Sequence, residues 1–324
     1  CPRFTQGFSI GIAQLYGAKQ YADMKKSLCV SLLLAFLSAV VITGLFLFLS
    51  APVLTLMGTS REILGDALLY VRIMFGGIPI VMTYNWLSAV LRSIGNGRTP
   101  LAAMGIASVC NILLDLLFVA VFGWGIAGAA AATLIAQAVS CVYCFLHIRK
   151  TPVLHFSRAD FQPTRDLIRR LFMLGAPMGI QNIIISIGGM ILQSIVNTFG
   201  VIFVAGFTAA NKLYGLLEIA AISFGFSVST YTGQNLGAKE YGRIRRGVRE
   251  GALMAVAASL LITVLMFLAG HLLVGFFIDR SDPNAAQVAV YGRHFLYLMA
   301  AFLSVLYCLH IYRSALQGMG NTLI

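Results

Sequence analysis

Three polar side chains inside an otherwise apolar run are the residues best placed to do chemistry. The stretch from Asn111 to Thr133 reads NILLDLLFVAVFGWGIAGAAAAT, apolar on both sides of a Gly123-Trp124-Gly125 turn. Asn111 and Asp115 are four residues apart and so share one helix face. With the turn at Trp124, Asp115 lies nine residues before it and Thr133 nine after. At 1.5 Å per residue both stand about 13–14 Å below the turn, near the middle of a roughly 30 Å hydrocarbon core. Gln137 follows Thr133 by one turn, and the small residues Ala127–Ala132 let the two helices approach closely. An acid at that depth is costly and marks function by default. Two readings meet here: a site for a proton or a sodium ion, or a hydrogen-bond network tying the two helices together. The intramembrane acid favours the first.

Membrane helices must position such a site, and the composition supplies them. The 324 residues are 59% hydrophobic and 10% charged, with a mean hydropathy of +0.88. A soluble domain carries about 25% charged residues. A spanning helix needs about 20 apolar residues; residues 27–50 supply 24 without a charge. Further spans are predicted at 66–92, 99–122, 124–147, 169–198, 202–235, 248–278 and 286–316, with 1–16 as the end of another. The predicted class is an all-α polytopic membrane protein with eight full spans and one partial span. Pro79, after Gly76-Gly77, and Pro177, after Gly175, are predicted kinks. The chain starts at Cys1 and ends inside a pattern, so it is expected to be a piece of a longer polytopic protein.

The net charge of +12 is distributed one-sidedly. Lys19, Lys25 and Lys26 lie in the first connector, and Arg92 and Arg98 in the third. Arg149, Lys150, Arg158, Arg165, Arg169 and Arg170 lie in the fifth, and Lys239, Arg243, Arg245, Arg246 and Arg249 in the seventh. The alternate connectors hold only Arg61 and Arg280. The positive-inside rule then places the basic loops in the cytoplasm and the chain in the cell (inner) membrane. The charge reflects topology and contact with anionic lipids, which argues against a nucleic-acid partner. The six cysteines fall mostly inside apolar segments and do not form a disulfide framework. Cys141-x-x-Cys144-x-x-His147 spreads over more than half a helix circumference, unlike a compact set of four zinc ligands, so no metal site is expected. No HExxH, G-x-S-x-G or Walker sequence occurs, and no enzyme is expected.

The long polar connector at 147–169 carries Pro152 and Pro163 and divides the chain into 1–150, a linker at 151–168, and 169–324. An internal repeat supports two halves. Gln14-Leu-Tyr-Gly17-Ala18-Lys19-Gln-Tyr21 recurs as Gln234-Asn-Leu-Gly237-Ala238-Lys239-Glu-Tyr241, at an offset of 220. Tyr70-Val-Arg72 recurs as Tyr291-Gly-Arg293 at 221, and Gly95-Asn96 as Gly320-Asn321 at 225. Six spans separate the two Gly-Ala-Lys loops, so both face one side and the halves are parallel repeats.

These loops, with LRSIGNGRTP at 91–100, NILLD followed by GIAGAAAAT, and the basic linker, resemble the multidrug and toxic compound extrusion (MATE) family, prokaryotic branch. The resemblance covers essentially the whole chain, from the end of the family's helix 2 through its helix 10. It implies two parallel six-helix lobes forming a V around a central cavity. It also implies antiport of small amphipathic or cationic compounds against H⁺ or Na⁺ by alternating access. By the family pattern, Asn111, Asp115 and Thr133 form the cation network, with a further Asp on the family's helix 1, which this chain lacks along with most of helix 2 and helices 11 and 12. The pattern also draws a Tyr and an Asn from the family's helix 4, where Tyr70 and Asn85 are available. Another branch places carboxylates on helices 7 and 10. Here those helices offer Gln181, Asn182, Gln193 and Asn197, and Tyr307 and His310, with no interior acid. Glu218 is the one other deep carboxylate, and with Gln181 and Asn182 it is a candidate substrate contact. Membrane lipids are the remaining partner, a monomer is expected, and no cofactor beyond the coupling ion is implied. The rival transport reading, a flippase for a lipid-linked precursor, asks for more cavity cations than Lys212, Arg72 and Arg293.

Overall fold

The computed structural model describes residues 2–56, 60–278 and 283–323; Cys1 and Arg280 lie outside them. The elements are α1 (Pro2–Gly17), α2 (Tyr21–Leu56), α3 (Arg61–Gly76), α4 (Ile78–Ser93) and α5 (Arg98–Asp115). A π-helical segment (Leu116–Val121), α6 (Gly125–Arg149) and α7 (Arg165–Val196) follow. The chain continues through α8 (Val201–Gly237), α9 (Tyr241–Gly275), α10 (Ala285–Ala301) and α11 (Leu303–Gly318). No strand occurs among the described residues. Among the described residues, six helices are long and apolar enough to cross a membrane alone, and two bent pairs, each taken as one span, bring the number to eight. This is an all-α multi-pass membrane protein, with spans where the apolar runs predicted them.

Both bent pairs break a predicted span. α3 and α4 meet at Gly77 with a 41° bend, and α10 and α11 meet at Phe302 with a 46° bend. Pro79 is the second residue of α4, where its missing N–H leaves no bond unmade. Phe302 has no proline near it, so that break was not predicted. It stands 225 residues after Gly77, the same offset that relates Gly95 to Gly320. α7 continues as a helix through Pro177, so a proline there does not break the element as the chain breaks at Gly77.

The repeat is also present in the backbone. Lys19 and Lys239 are the non-glycine residues at positive φ, 57° and 59°, among those described. Around them the same carbonyls are capped: Ala18 N–H to Gln14 O and Gln20 N–H to Leu15 O, then Ala238 N–H to Gln234 O and Glu240 N–H to Asn235 O, all 2.9–3.0 Å. Each loop ends its helix with a left-handed residue, the common way to satisfy the last carbonyls.

Close packing separates the described chain into two units, the first running to Ala176 and the second from Pro177. In the first, Phe8, Ile12, Met24, Leu28, Trp86, Leu91, Cys144 and Ile148 form the core, drawn from α1, α2, α4 and α6. Trp86 Nε1 also donates to Ser31 Oγ at 2.9 Å, locking α4 to α2. In the second, Leu213, Met266, Leu296 and Ala300 form one cluster and Val228, Ala255, Tyr307 and Ile311 another, all from α8–α11.

The connector after α6 is docked on the first unit. Leu154, in a 3₁₀ turn (Pro152–Leu154), is 1% exposed and belongs to the first unit's core. A second turn (Arg158–Asp160) is capped reciprocally. Ser157 N–H and Oγ donate to Asp160 Oδ2 at 2.7 and 3.1 Å, and Ala159 N–H donates to Ser157 Oγ at 3.2 Å. The Ser157 amide first, then its hydroxyl and the charges of Lys25 and Lys26, hold the exposed Asp160 carboxyl below the usual carboxylate range. A depressed carboxyl stabilises the turn above the ordinary carboxylate value, and that stabilisation is lost as pH falls through the lowered value. Protection of the Ser157 amide from hydrogen exchange should therefore persist at pH 5 to 7 and disappear only below roughly pH 4. Leu154→Ala should cost about 2–5 kcal/mol of docking, seen as faster limited trypsin cleavage at Lys150 and Arg165.

Candidate functional site

Asp115 is the last residue of α5, and the π-helical segment begins immediately after it. Phe122 N–H donates to Leu117 O, five residues back, and Trp124 N–H to Phe118 O, six back, both at 2.9 Å. Phe118, Phe122 and Trp124 cluster with ring centroids 4.9–6.0 Å apart, and Gly123 and Gly125 adopt positive φ to turn the chain into α6. Nothing in LLFVAV signals a π turn, and sequence reasoning missed it. Such turns occur often at functional sites. A π turn rises less per residue than an α turn, so the nine-residue count overstates the depth of Asp115 below the hairpin.

α5 packs mainly on α6. Its half-covered stripe runs through Ala107, Cys110, Asn111, Leu114 and Asp115 to Phe118, while Ile112, Leu113 and Leu116 beside it are 59–62% exposed. On that stripe, Asn111 Nδ2 and Asp115 Oδ1 are shut off from solvent with no hydrogen-bond partner. A buried unpartnered polar atom costs about 1–3 kcal/mol. A carboxylate oxygen and a carboxamide one turn apart, both unsatisfied, suit a proton or a small cation; rotating the amide would present its oxygen instead. Thr133 donates its hydroxyl to Ala129 O at 3.0 Å on its own helix. Gln137 is half-buried one turn beyond. The structure thus puts Asn111 and Asp115 together on α5 and Thr133 and Gln137 on the helix it packs against. No hydrogen bond joins the two pairs among the described residues.

The two candidates before α5 are placed differently. Tyr70, on α3, is 39% exposed. Asn85, on α4, gives its Nδ2 hydrogen to Val81 O at 2.8 Å. Both helices pack on α6, which holds the α3–α4 break. Leu134, next to Thr133, fills the space where a side chain on Gly77 would go. Cys141 Sγ donates to Ile80 O at 3.3 Å. The thiol that sequence reasoning left without a role is a hydrogen-bond donor at the bend.

The second unit has its own polar groups. Glu218, on α8, is half-buried and makes no ion pair among the described residues. Lys212 lies on the Phe277 ring instead, 5.8 Å from its centroid. Gln181 Oε1, on α7, accepts from Gln317 Nε2 at 3.3 Å, and neighbouring Asn182 is half-buried. Gln193 and Asn197 bond each other at 2.9 Å in an exposed position. On α11 the buried His310 takes a hydrogen bond at Nδ1 from Arg313 Nη2, at 3.2 Å. Sequence reasoning named Tyr307 and His310 there and missed Arg313 and Gln317. Their spacing of three and four was the available signal.

The MatE family model matches residues 4–117 and 177–324. The chain belongs to that family. Asn111 and Asp115 fall inside the matched segments, whereas Thr133 and Gln137 fall between them. This MatE chain is 33% identical over 255 residues to the Bacillus subtilis probable multidrug resistance protein YpnP, covering 79% of the chain and 56% of that protein. It is 24% identical to the Thermotoga maritima probable multidrug resistance protein NorM, covering 98% of the chain and 68% of that protein. It spans 61% of the Staphylococcus saprophyticus multidrug export protein MepA. It therefore covers about 56–61% of several curated relatives' lengths. An outward-facing multidrug resistance MATE family transporter superposes with a TM-score of 0.92 at 23% identity, over 99% of this chain and 71% of that one. A MOP superfamily transporter from Pyrococcus furiosus superposes at 0.93, with the same identity and coverage. The family is one of transporters, not enzymes.

The α3–α4 bend offers the clearest packing test in this MatE chain. Gly77→Val should drive Leu134 from its seat and cost about 1–3 kcal/mol, lowering Tm in detergent. Adding Leu134→Ala should restore part of the loss. A Gly77→Val protein as stable as the parent would mean the helices are not so closely apposed.

Proposed function

We propose that the chain is part of a multidrug exporter driven by an H⁺ or Na⁺ gradient, with Asp115 as the coupling site and Asn111 and Thr133 beside it. Tyr70, Asn85 and Gln137 extend the polar surroundings of the site. Glu218, Gln181 and Asn182 are the proposed contacts for small amphipathic or cationic substrates. The basic loops face the cytoplasm from the cell membrane, the protein works as a monomer, and alternating access of two lobes moves the substrate. The relatives named for multidrug resistance and export support this reading at family level.

One observation carries the coupling assignment: Asp115 Oδ1 and Asn111 Nδ2 are buried, unpartnered and one turn apart. Each elementary charge moved through 100 mV releases about 2.3 kcal/mol, enough for a roughly 50-fold concentration ratio of a neutral substrate. The test is gradient-driven drug efflux by the full-length protein in proteoliposomes, under an H⁺ and then a Na⁺ gradient. Asp115→Asn should reduce efflux to the no-gradient level and abolish drug-dependent ion flux, while insertion is unchanged. Undiminished coupled efflux would remove Asp115 from the mechanism.

A further inference from the structure

We infer that the π-helical segment, held in place by Gly128, is a positioning device that sets which face of α5 Asp115 occupies. The inference rests on the reading of Asp115 as a cation site and names what orients it.

The end of α5 nearer the hairpin is fixed. Phe118, Phe122 and Trp124 pack together, Trp124 N–H is bonded to Phe118 O, and Gly125 starts α6. The direction of Asp115 therefore depends on how the chain winds between residues 116 and 121. Each residue of an α-helix turns it by about 100°. A π turn uses about one more residue for the same rotation, so the preceding helix is displaced by about that angle relative to an unbroken α-helix. The backbone bonding records the extra residue: Phe122 N–H reaches Leu117 O, five residues back, where an α-helix would use the carbonyl four back.

Gly128 is the residue that accommodates the wide turn. A Cβ there would lie 3.0 Å from the Cβ atoms of Phe118 and Trp124 and 3.2 Å from the Phe118 carbonyl carbon. Gly128 is itself buried, and α6 packs against the π segment at this point. The backbone there must move by a few tenths of an ångström to admit even alanine. That movement is transmitted along the π turn to Asp115, three residues before Phe118. Gly128 and Phe118 thus act through Asp115 and need touch neither the ion nor the drug.

The experiment uses the full-length protein in proteoliposomes and reads the cation concentration for half-maximal efflux separately from the rate at saturating cation. Two variants are compared with the parent: Gly128→Ala, and deletion of Ala120, which returns the segment to α-helical register. Both should raise the half-maximal cation concentration by roughly tenfold or more, with a smaller change in the saturating rate for Gly128→Ala. Ala120→Gly, which changes neither the length of the segment nor its contact with Gly128, should keep the parental half-maximal cation concentration. If Asp115→Asn abolishes coupling but both variants keep the parental cation dependence, this inference is wrong and the coupling assignment stands. If Asp115→Asn leaves coupling intact, the underlying reading fails first. Loss of insertion in both variants would make the segment purely structural and would also overturn the inference.

Discussion

In hydrocarbon every backbone N–H and C=O must find its partner within the protein, because no water is there to take its place. That requirement governs where these helices can depart from regularity. At the α3–α4 bend the Cys141 thiol brings a further donor to Ile80 O. At the α10–α11 bend, Thr263 Oγ1 donates to Ala300 O at 2.8 Å, and Ser259 and Ser304 pair at 2.8 Å beside it. The wide turn after Asp115 keeps its amides bonded to carbonyls five and six residues back. Each irregularity is accompanied by a donor or a longer-range bond supplied within the same unit.

Against that background, the buried side-chain atoms without a partner among the described residues are unevenly distributed. The first unit holds the acid Asp115 with one oxygen unpartnered, on a helix whose buried residues lie mainly at its start. The second unit replaces such an acid with amides and a His–Arg contact on α11. Among the described residues, its half-buried carboxylate, Glu218, sits on a different helix from those contacts. The two repeats share loop geometry and bend positions while differing in their polar interiors. The common backbone is thus compatible with two different sets of side-chain chemistry.

Much of this was legible in the sequence, and what was not has identifiable reasons. Apolar run length set the eight spans because bilayer thickness sets helix length. The recurring Gly-Ala-Lys loops marked the repeat, but not that the lysine of each carries the positive φ. Asp115 and Asn111 stood out because acids are rare at that depth. The π turn left no trace, since LLFVAV suits an α-helix equally well by composition. The bend at Phe302 lacks proline, and its stabilising groups lie on α9, far away in sequence. Docking of the linker depends on the short pair Val153-Leu154, too brief for any periodicity to reveal.

That docked linker changes what joins the two units. With Leu154 seated in the first unit's core, the polar connector is not free to act as an entropic spring whose reach is set by its length. The covalent passage is instead α7, a continuous helix whose first turns belong to one unit and whose remainder belongs to the other. Residues inserted after Leu154 would lengthen the connector without unseating that side chain, so its hold on the first unit is a matter of one packed anchor and not of chain length.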